Sequence, residues 1–433
     1  MVSTGKYTRL QSLDIFRGMT VCLMIVVGAS GNYAYTYRML DHAPWSGFTP
    51  TDFIFPSFLF IIGVAQSLSF QAAADDTTGV SGRSPSPTSK TSKSSGMRLL
   101  KIGRRTAILF LLGMLINWFP FCFRDDSGHV QWISIDQVRI LGVLQRIALA
   151  YGISSLIELY LSGRSILVLA ALALVAYVCI LHVGGSPDPY GVQTNIVARI
   201  DRYLLGVNHL YREQGVPFDP EGLLSTLPAI VNVLGGYLTG KLLRAGVRVP
   251  GSTPHSHDAA GVRDRDRDSA RFLPGLLKGM MAGCAIFIAG YLWSYFDPLN
   301  KKLWTSSFTL ITIGMDIMLF ITIVYWADVR GRNRADVPGR SWTDARGRNR
   351  APASFFTCFG KNPILIYLFS ELLMKLLLFP LSHRGEPLYA LLYRQVFASA
   401  GMYTGALLQA LTYMLLCWTL VWLLNKKKVY LKI

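Results

Sequence analysis

The chain of 433 residues is 51% hydrophobic and only 16% charged, and it carries a formal net charge of +18. Its apolar residues form about ten blocks, each long enough to cross a hydrocarbon core of ~30 Å as an α-helix. The basic residues lie in the loops between those blocks and do not share one face with aromatic side chains. The composition excludes a set of soluble domains and a nucleic-acid partner, and it predicts an all-α, polytopic helix bundle in a lipid bilayer.

Blocks of this length predict a single transmembrane domain over residues 1–433 with ten spans. The spans are predicted at residues 13–30, 53–72, 102–119, 138–159, 164–182, 222–243, 272–293, 307–327, 353–374 and 403–424. The apolar stretch 386–400 is too short to cross the bilayer, so we expect an interfacial or re-entrant helix there. The first block lacks a cleavage site of small residues and is predicted to remain as the first span.

Lysine and arginine concentrate in every second loop. Most of them lie in the loops 73–101, 244–271 and 328–352 and in the C-terminal tail. The positive-inside rule then places these loops and both termini in the cytoplasm. The same three loops are rich in small, polar and charged residues, including the RGRNRA sequence at 330–335 and again at 346–351. We expect them to be disordered.

Common motifs of soluble enzymes and metal sites are missing from the sequence. The six cysteines are scattered without CxxC or Cys/His ligand spacing, so neither a disulfide framework nor a metal site is predicted. The sequence also has no P-loop, GxSxG, HExxH or dinucleotide-binding fingerprint. Any chemistry must therefore come from polar residues inside the bundle or at its rim, where they are costly to place.

The densest polar group lies between the first and second predicted spans. His42 and Asp52 are both predicted at the outer face, and Asp52 opens the second span. Histidine is suited to proton transfer near neutral pH, and a carboxylate can orient it and stabilise its charged form. The alternative is that Asp52 only caps the second span together with Thr49 and Thr51. Spacing alone leaves both interpretations open.

Further polar residues are predicted within the outer half of the bundle. Arg146 lies inside the fourth span beside Gln145, where a guanidinium needs partners or a wet cavity. It could contact a substrate or be paired with Asp316 or Glu371 for packing. Other candidates share this depth and could equally mediate helix packing. They are Glu221, Thr226, Asn232, Trp304, Thr305 and Ser306.

Cationic residues gather at the predicted cytoplasmic rim. Arg17 begins the first span, with Asp14 one helical turn earlier, whereas Arg104 and Arg105 are interpreted as ordinary positive-inside flanking residues. Pro363 fits the first position of a helix, which would place Lys361 and Asn362 at a helix N-terminus. That position favours an anion such as phosphate, although a simple helix cap explains the same residues.

In combination, these segments resemble the heparan-α-glucosaminide N-acetyltransferase family of transmembrane acyltransferases. The motifs, in family order, are SLDIFRG, HAPWSGFTPTDFIFPSFLFIIG, GVLQRIALAYG, EGLLSTLPAI, NKKLWTSSFTL and GKNPILIY. The resemblance implies transfer of acetyl from cytoplasmic acetyl-CoA to the amine of a glucosamine-type sugar on the external face. It implies that His42 is the essential histidine and that Asp52 orients it.

The resemblance also assigns the remaining site residues. An acceptor and acyl pocket is expected from Asn32, Trp45, Gln145, Arg146 and Trp304, and cofactor binding from Arg17, Lys361 and Asn362, with no metal. The sequence departs from the family at Gly28, where relatives usually carry the Asn that positions the acetyl group, and at Ser46, where they usually carry another Asn.

The resemblance leaves the acceptor and the assembly open. The alternatives to an N-acetyltransferase are an O-acetyltransferase of a surface glycan and a transporter without acyl-transfer activity. The expected location is the bacterial cytoplasmic (inner) membrane, and the expected assembly is a possible homodimer.

Overall fold

The structure, a computed structural model, describes residues 10–78, 90–125, 129–246, 263–330, 351–379 and 386–431. Helices dominate these residues and confirm the all-α class. The helices are α1 (Gln11–Gly28), α2 (Ile54–Thr78), α3 (Lys90–Trp118), α4 (Val143–Tyr160), α5 (Gly163–Gly184), α6 (Ile196–Leu205), α7 (Thr226–Gly246), α8 (Arg263–Trp293), α9 (Ser306–Val324), α10 (Ala351–Lys361), α11 (Pro363–Leu378), α12 (Leu388–Leu392) and α13 (Met402–Lys426).

Two short antiparallel hairpins interrupt the helices. Strand β1 (Cys122–Arg124) pairs with β2 (Val130–Trp132), and β3 (Arg212–Glu213) pairs with β4 (Val216–Pro217). The turn of the β3–β4 hairpin contacts the residues after α1, since Nε2 of Gln214 donates to the carbonyl of Pro44 at 3.4 Å. We call the end of the bundle that contains residues 29–53, 119–125, 129–142, 185–225 and 294–305 the His42 end.

Six helical segments of the described residues are long and apolar enough to cross a membrane. They are Gln11–Gly28, Pro50–Ser69, Gly163–Gly184, Leu273–Trp293, Ser306–Val329 and Met402–Lys426. These segments fit a helical integral membrane protein. The total of ten spans and the cytoplasmic location of both termini stay predictions.

The structure divides the predicted ninth span, 353–374, into two helices. Helix α10 ends at Lys361, Asn362 has φ −131° and ψ 49°, and α11 begins with Pro363. Proline has no N–H to continue a helix, and its ring clashes with the preceding turn. One continuous helix over this range was therefore a wrong prediction, whereas the first-position role of Pro363 is confirmed. The stretch 386–400 forms α12 and short helical turns.

Helices extend into two loops that were predicted as disordered. Helix α2 continues to Thr78 and α3 begins at Lys90, so both ends of the 73–101 loop are helical. Helix α8 begins at Arg263, so the RDRDRD run lies in its first turns. The remainder of these loops and nearly all of 328–352, with both RGRNRA sequences, lie outside the described residues.

Helices α2 and α7 pack closely against each other beneath the His42 end. A Cβ added at Gly63 would lie 1.8 Å from the carbonyl oxygen of Val233, and one at Gly236 would lie 1.9 Å from that of Phe60. Only glycine permits this approach of two helix backbones. The contact fixes α2, and with it the residues that begin this helix, relative to the rest of the bundle.

Candidate active site

A histidine and a buried carboxylate are paired where α2 begins. Nδ1 of His42 lies 2.7 Å from Oδ1 of Asp52. Asp52 is 1% exposed, whereas the His42 side chain is 45% exposed. The imidazole is thus accessible to a solute, whereas the carboxylate is shielded from water. The site brings together the two residues that the sequence analysis had singled out.

The second carboxylate oxygen of Asp52 organises the loop around the histidine. Oδ2 accepts hydrogen bonds from the backbone N–H of Ala43 at 3.3 Å and from the backbone N–H and hydroxyl of Thr49, both at 3.0 Å. With Thr49 it completes a capping box at the turn Pro50–Phe53, which leads into α2. The capping and pairing roles of Asp52 therefore coexist, because each uses a different oxygen.

The contact with Asp52 sets the proton arrangement of the His42 ring. An ionised carboxylate can only accept a hydrogen bond, so Nδ1 carries the proton that it donates. In the neutral ring Nε2 is then left with its lone pair. A ring in this arrangement can accept a proton at Nε2, and a carboxylate at Nδ1 can stabilise the resulting imidazolium.

Lys301 is a third member of this site that sequence analysis missed. Its Nζ lies 2.9 Å from Nδ1 and 3.2 Å from Nε2 of His42, and 3.6 Å from Oδ1 of Asp52. Burial lowers the pKa of Lys301, and the charge of Asp52 opposes this shift. The NKKLW motif contains Lys301, but its spacing gives no sign that the first of the two lysines faces a histidine 259 residues earlier.

Aromatic and charged residues line one side of the site. The indole N–H of Trp45 donates to the carbonyl of Tyr190 at 2.8 Å, and the Trp45 ring packs edge-on against Phe218. Lys302 is bound to Glu213, with Nζ 2.6 Å from Oε1. The indole N–H of Trp45 is therefore already used within the protein, and the role of Trp45 in an acceptor pocket stays a prediction.

Trp304 lies one layer deeper and connects the site to the centre of the bundle. It is 1% exposed, packs edge-on against Phe55, and donates its indole N–H to Oδ1 of Asn232 at 2.9 Å. Its φ of 56° places a non-glycine residue in the left-handed region, which costs on the order of 1–3 kcal/mol. The backbone turn after Lys301 thus directs the large Trp304 ring inward, beneath His42 and Asp52.

Arg146 lies directly against Trp304. Its guanidinium carbon is 4.8 Å from the centre of the Trp304 ring, and Nη2 donates to the carbonyl of Gly222 at 3.1 Å and to the hydroxyl of Ser225. Its Nε and Nη1 have no hydrogen-bond partner among the described residues, and the same holds for Nε2 of the buried neighbour Gln145. The alternative pairing of Arg146 with Asp316 or Glu371 is not what the structure shows.

Asn32 and Gly28 lie at the end of α1. The side chain of Asn32 accepts a hydrogen bond from Ala34 N at 2.9 Å and caps the turn Tyr33–Tyr35. A Cβ added at Gly28 would meet no atom within 4 Å. Asn32 thus has a local capping role in the structure, and its role in an acyl pocket stays a prediction.

The predicted cofactor residues gather at the opposite end of α1. Nη1 of Arg17 donates to the carbonyl of Gly360 at 3.3 Å and lies 3.7 Å from Oδ1 of Asp14, which confirms the predicted i,i+3 pair. Asn362 donates to the carbonyl of Val429 and accepts from the backbone N–H of Leu431, so its carboxamide holds the C-terminal segment. Lys361 ends α10 beside them.

The buried Asp201, on α6, destabilises the fold at pH values at which its carboxyl group is ionised. Burial raises the pKa of Asp201 to about 6, the hydrogen bond from Leu223 opposes the shift, and the charge of Asp219 adds to it. A carboxyl with a raised pKa stabilises the fold while protonated, and this contribution is lost as the pH rises through about 6. We expect Asp201→Asn to stabilise the protein by up to roughly 2–3 kcal/mol above that pH and hardly at all near pH ~4.

Thermal unfolding in detergent at the two pH values measures this effect. Asp219→Asn is the matched control, because Asp219 is bound through both carboxylate oxygens to Arg139, at 2.7 and 2.8 Å, and its replacement should destabilise the protein. A lower melting temperature of Asp201→Asn at the higher pH would contradict the assignment.

Within the described ranges, no group of three or more His, Cys, Asp or Glu side chains could hold a metal ion. The titratable groups that meet at the His42 end are the imidazole of His42, the carboxylate of Asp52 and the amine of Lys301. These groups can take up and release protons close to a buried, donor-rich interior.

These features define a class of protein: a helical membrane protein with an imidazole–carboxylate pair at one end of its bundle. The family model described as heparan-alpha-glucosaminide N-acetyltransferase, catalytic, matches residues 9–255, and the chain belongs to this family. The matched range contains His42, Asp52, Gln145 and Arg146.

Two curated relatives carry the same name. The chain is 29% identical over 377 residues to heparan-alpha-glucosaminide N-acetyltransferase from Homo sapiens, a match that covers 75% of this chain and 49% of the human protein. It is 28% identical over 379 residues to the protein from Mus musculus, covering 75% of this chain and 50% of the relative. The chain thus spans about half the length of the curated relatives it matches.

Proposed function

We propose that the protein is a membrane acetyltransferase that moves acetyl from cytoplasmic acetyl-CoA to the amine of a glucosamine-type sugar on the external face. The observation that carries the proposal is the 2.7 Å contact between His42 and the buried Asp52. Both curated relatives are named as N-acetyltransferases of a glucosaminide, which supports an amino-sugar acceptor.

In the proposed reaction His42 acts as the general base. Nε2 takes a proton from the acceptor amine as the nitrogen attacks the thioester carbonyl, and Asp52 stabilises the imidazolium. The C–N bond forms, the C–S bond breaks, and the proton passes to the leaving thiolate. In an alternative order the acetyl group is first transferred to His42 itself, and the amine then attacks this covalent intermediate.

Arg146 and Gln145 are proposed to bind the carbonyl groups of the acetyl donor. Three of their buried nitrogen atoms lack an acceptor among the described residues, and leaving a buried donor unpaired costs about 1–3 kcal/mol. A carbonyl oxygen from the donor would satisfy them. Trp304 would form the floor between this pocket and His42, and Trp45 and Asn32 would line the acceptor side.

The nucleotide end of the donor is proposed to bind near Arg17 and Lys361. These residues lie near the N-terminal end of α1, and Gly28 is about 16 Å further along the same helix. The phosphates of acetyl-CoA are too polar to cross lipid, so the thioester must reach His42 through the bundle. Asn362 would shape this end of the route by fixing the C-terminal segment.

The arrangement in the membrane is part of the same proposal. We propose ten spans with both termini in the cytoplasm, which places Arg17 inside and His42 outside, in agreement with the distribution of lysine and arginine. The bacterial cytoplasmic membrane and a homodimer are proposed as location and assembly.

An acceptor panel tests the proposal and separates it from its alternatives. Purified protein with acetyl-CoA should acetylate glucosamine, whereas glucose, which offers only hydroxyl groups, should give no product. Acetylation of glucose without acetylation of the glucosamine amine would establish an O-acetyltransferase instead. A transporter, for which the buried Arg146 and Asp316 would be pathway residues, would leave both sugars unmodified.

A further inference from the structure

Two neighbouring lysines at the His42 end have different surroundings. Nζ of Lys302 is bound to Oε1 of Glu213 at 2.6 Å and to the carbonyl of Pro44, so it is engaged by two acceptors away from His42. Nζ of Lys301 instead lies within 3.2 Å of both ring nitrogens of His42. Only the first of the two amines is in contact with the proposed general base.

The position of the Lys301 amine matches what the acceptor amine requires. A nucleophile must lie within hydrogen-bond reach of its base, and the 3.2 Å between Nζ and Nε2 of His42 meets this condition. The Lys301 side chain is 19% exposed, so the amine is shielded from most solvent. A sugar amine that approaches Nε2 of His42 therefore has to displace the Lys301 side chain.

We propose that Lys301 is itself an acetyl acceptor, modified by the protein's own site when no sugar amine is bound. The inference rests on the proposed acetyltransferase function and extends it to a second acceptor. Nζ of Lys301 attacks the thioester carbonyl of acetyl-CoA, a C–N bond forms and the C–S bond breaks. Nε2 of His42 takes the proton from the nitrogen and passes it to the thiolate, which leaves acetyl-lysine at position 301 and free CoA.

The charges around Lys301 determine how this reaction depends on pH. Its amine must be neutral to attack, and burial lowers the pKa of Lys301 towards that state. The charged and titratable groups that face it are Asp52, Glu221, Lys302 and the ring of His42. Asp52 and Glu221 favour the charged amine, whereas Lys302 disfavours it. Acetylation should rise with pH and reach its plateau below the pH at which an exposed lysine does.

The experiment uses the full chain in detergent with acetyl-CoA and no sugar. The acetyl group is located by tandem mass spectrometry of chymotryptic peptides, which compares Lys301 with Lys302 in the same molecule. We expect the acetyl group on Lys301 and not on Lys302 of the wild-type protein. His42→Ala should lower the rate at Lys301 about a hundredfold, and excess glucosamine should suppress it in the wild type.

Each result decides the question. Equal acetylation of both lysines, an unchanged rate in His42→Ala, or no suppression by glucosamine would show spontaneous acetylation and overturn the inference. A preparation that acetylates glucosamine but leaves Lys301 unmodified would overturn it while the proposed function stands. If neither glucosamine nor Lys301 is acetylated, both fall. The glucosamine competition needs no variant, so a folding defect in His42→Ala leaves the inference testable.

Discussion

His42→Ala should lower kcat for acetyl transfer about 10²–10⁴-fold, the range that a positioned general base contributes. The variant loses Nε2, the atom that takes the proton of the acceptor amine, and leaves Asp52 without the ring it orients. Donor binding at the other end of α1 should change little, so KM for acetyl-CoA should stay close to the wild-type value. Initial rates with glucosamine over a range of acetyl-CoA concentrations measure both constants.

The chain supplies a matched control for this variant. His129 also lies beside a carboxylate, with Nδ1 4.0 Å from Oδ2 of Asp125, but its side chain is 81% exposed and it directly precedes β2. His129→Ala should keep the wild-type kcat. Wild-type turnover in His42→Ala, or an equal loss in both variants, would end the catalytic assignment of His42.

Asp52→Asn separates the two roles of the carboxylate. Asn can still accept one hydrogen bond from the loop, but it cannot stabilise the imidazolium as a charge does, so kcat should fall. The variant should also melt at a lower temperature. In the wild type, Oδ2 of Asp52 accepts hydrogen bonds from the backbone N–H of Ala43 and from the backbone N–H and hydroxyl of Thr49. A loss of stability with unchanged kcat would reduce Asp52 to a helix cap.

Local spacing together with the family resemblance predicted the parts of the site that join residues close in sequence. The pairing of His42 with Asp52 joins residues ten positions apart in one loop, and the pair of Asp14 and Arg17 follows from one helical turn. Pro363 was correctly placed at the first position of a helix. The N–H at that position has no acceptor within the helix, so proline, which lacks it, loses no hydrogen bond there.

The contacts that sequence could not predict join distant parts of the chain. Lys301 reaches His42 across 259 residues, and nothing in the NKKLW motif distinguishes it from Lys302. The neighbours of Arg146 are likewise set by packing: α7 begins next to Gly222 and Ser225, and Trp304 turns inward with a positive φ. These features depend on how helices meet, which no local pattern encodes.

The break at Asn362 shows a further limit of hydropathy. Residues 353–374 are mostly apolar, so a window average extends one span across the break, although Pro363 starts a new helix. The two carboxamide groups that hold the chain there, from Asn362 and from Asn425 nearby, contact the C-terminal segment 429–431. The inner end of the proposed route is therefore shaped by a contact between residues far apart in sequence.

Transfer across a sealed vesicle tests the central claim most directly. The claim is that the donor binds at the Arg17 end of α1 and the acceptor meets His42 beyond the other end, so the acetyl group must cross the bundle. Protein is reconstituted in one orientation, and acetyl-CoA and a membrane-impermeant glucosamine derivative are supplied on the same side or on opposite sides. We predict product only with acetyl-CoA on the side of the Arg17 end and the sugar on the side of His42. Product formed only when both substrates are on one side would contradict the account.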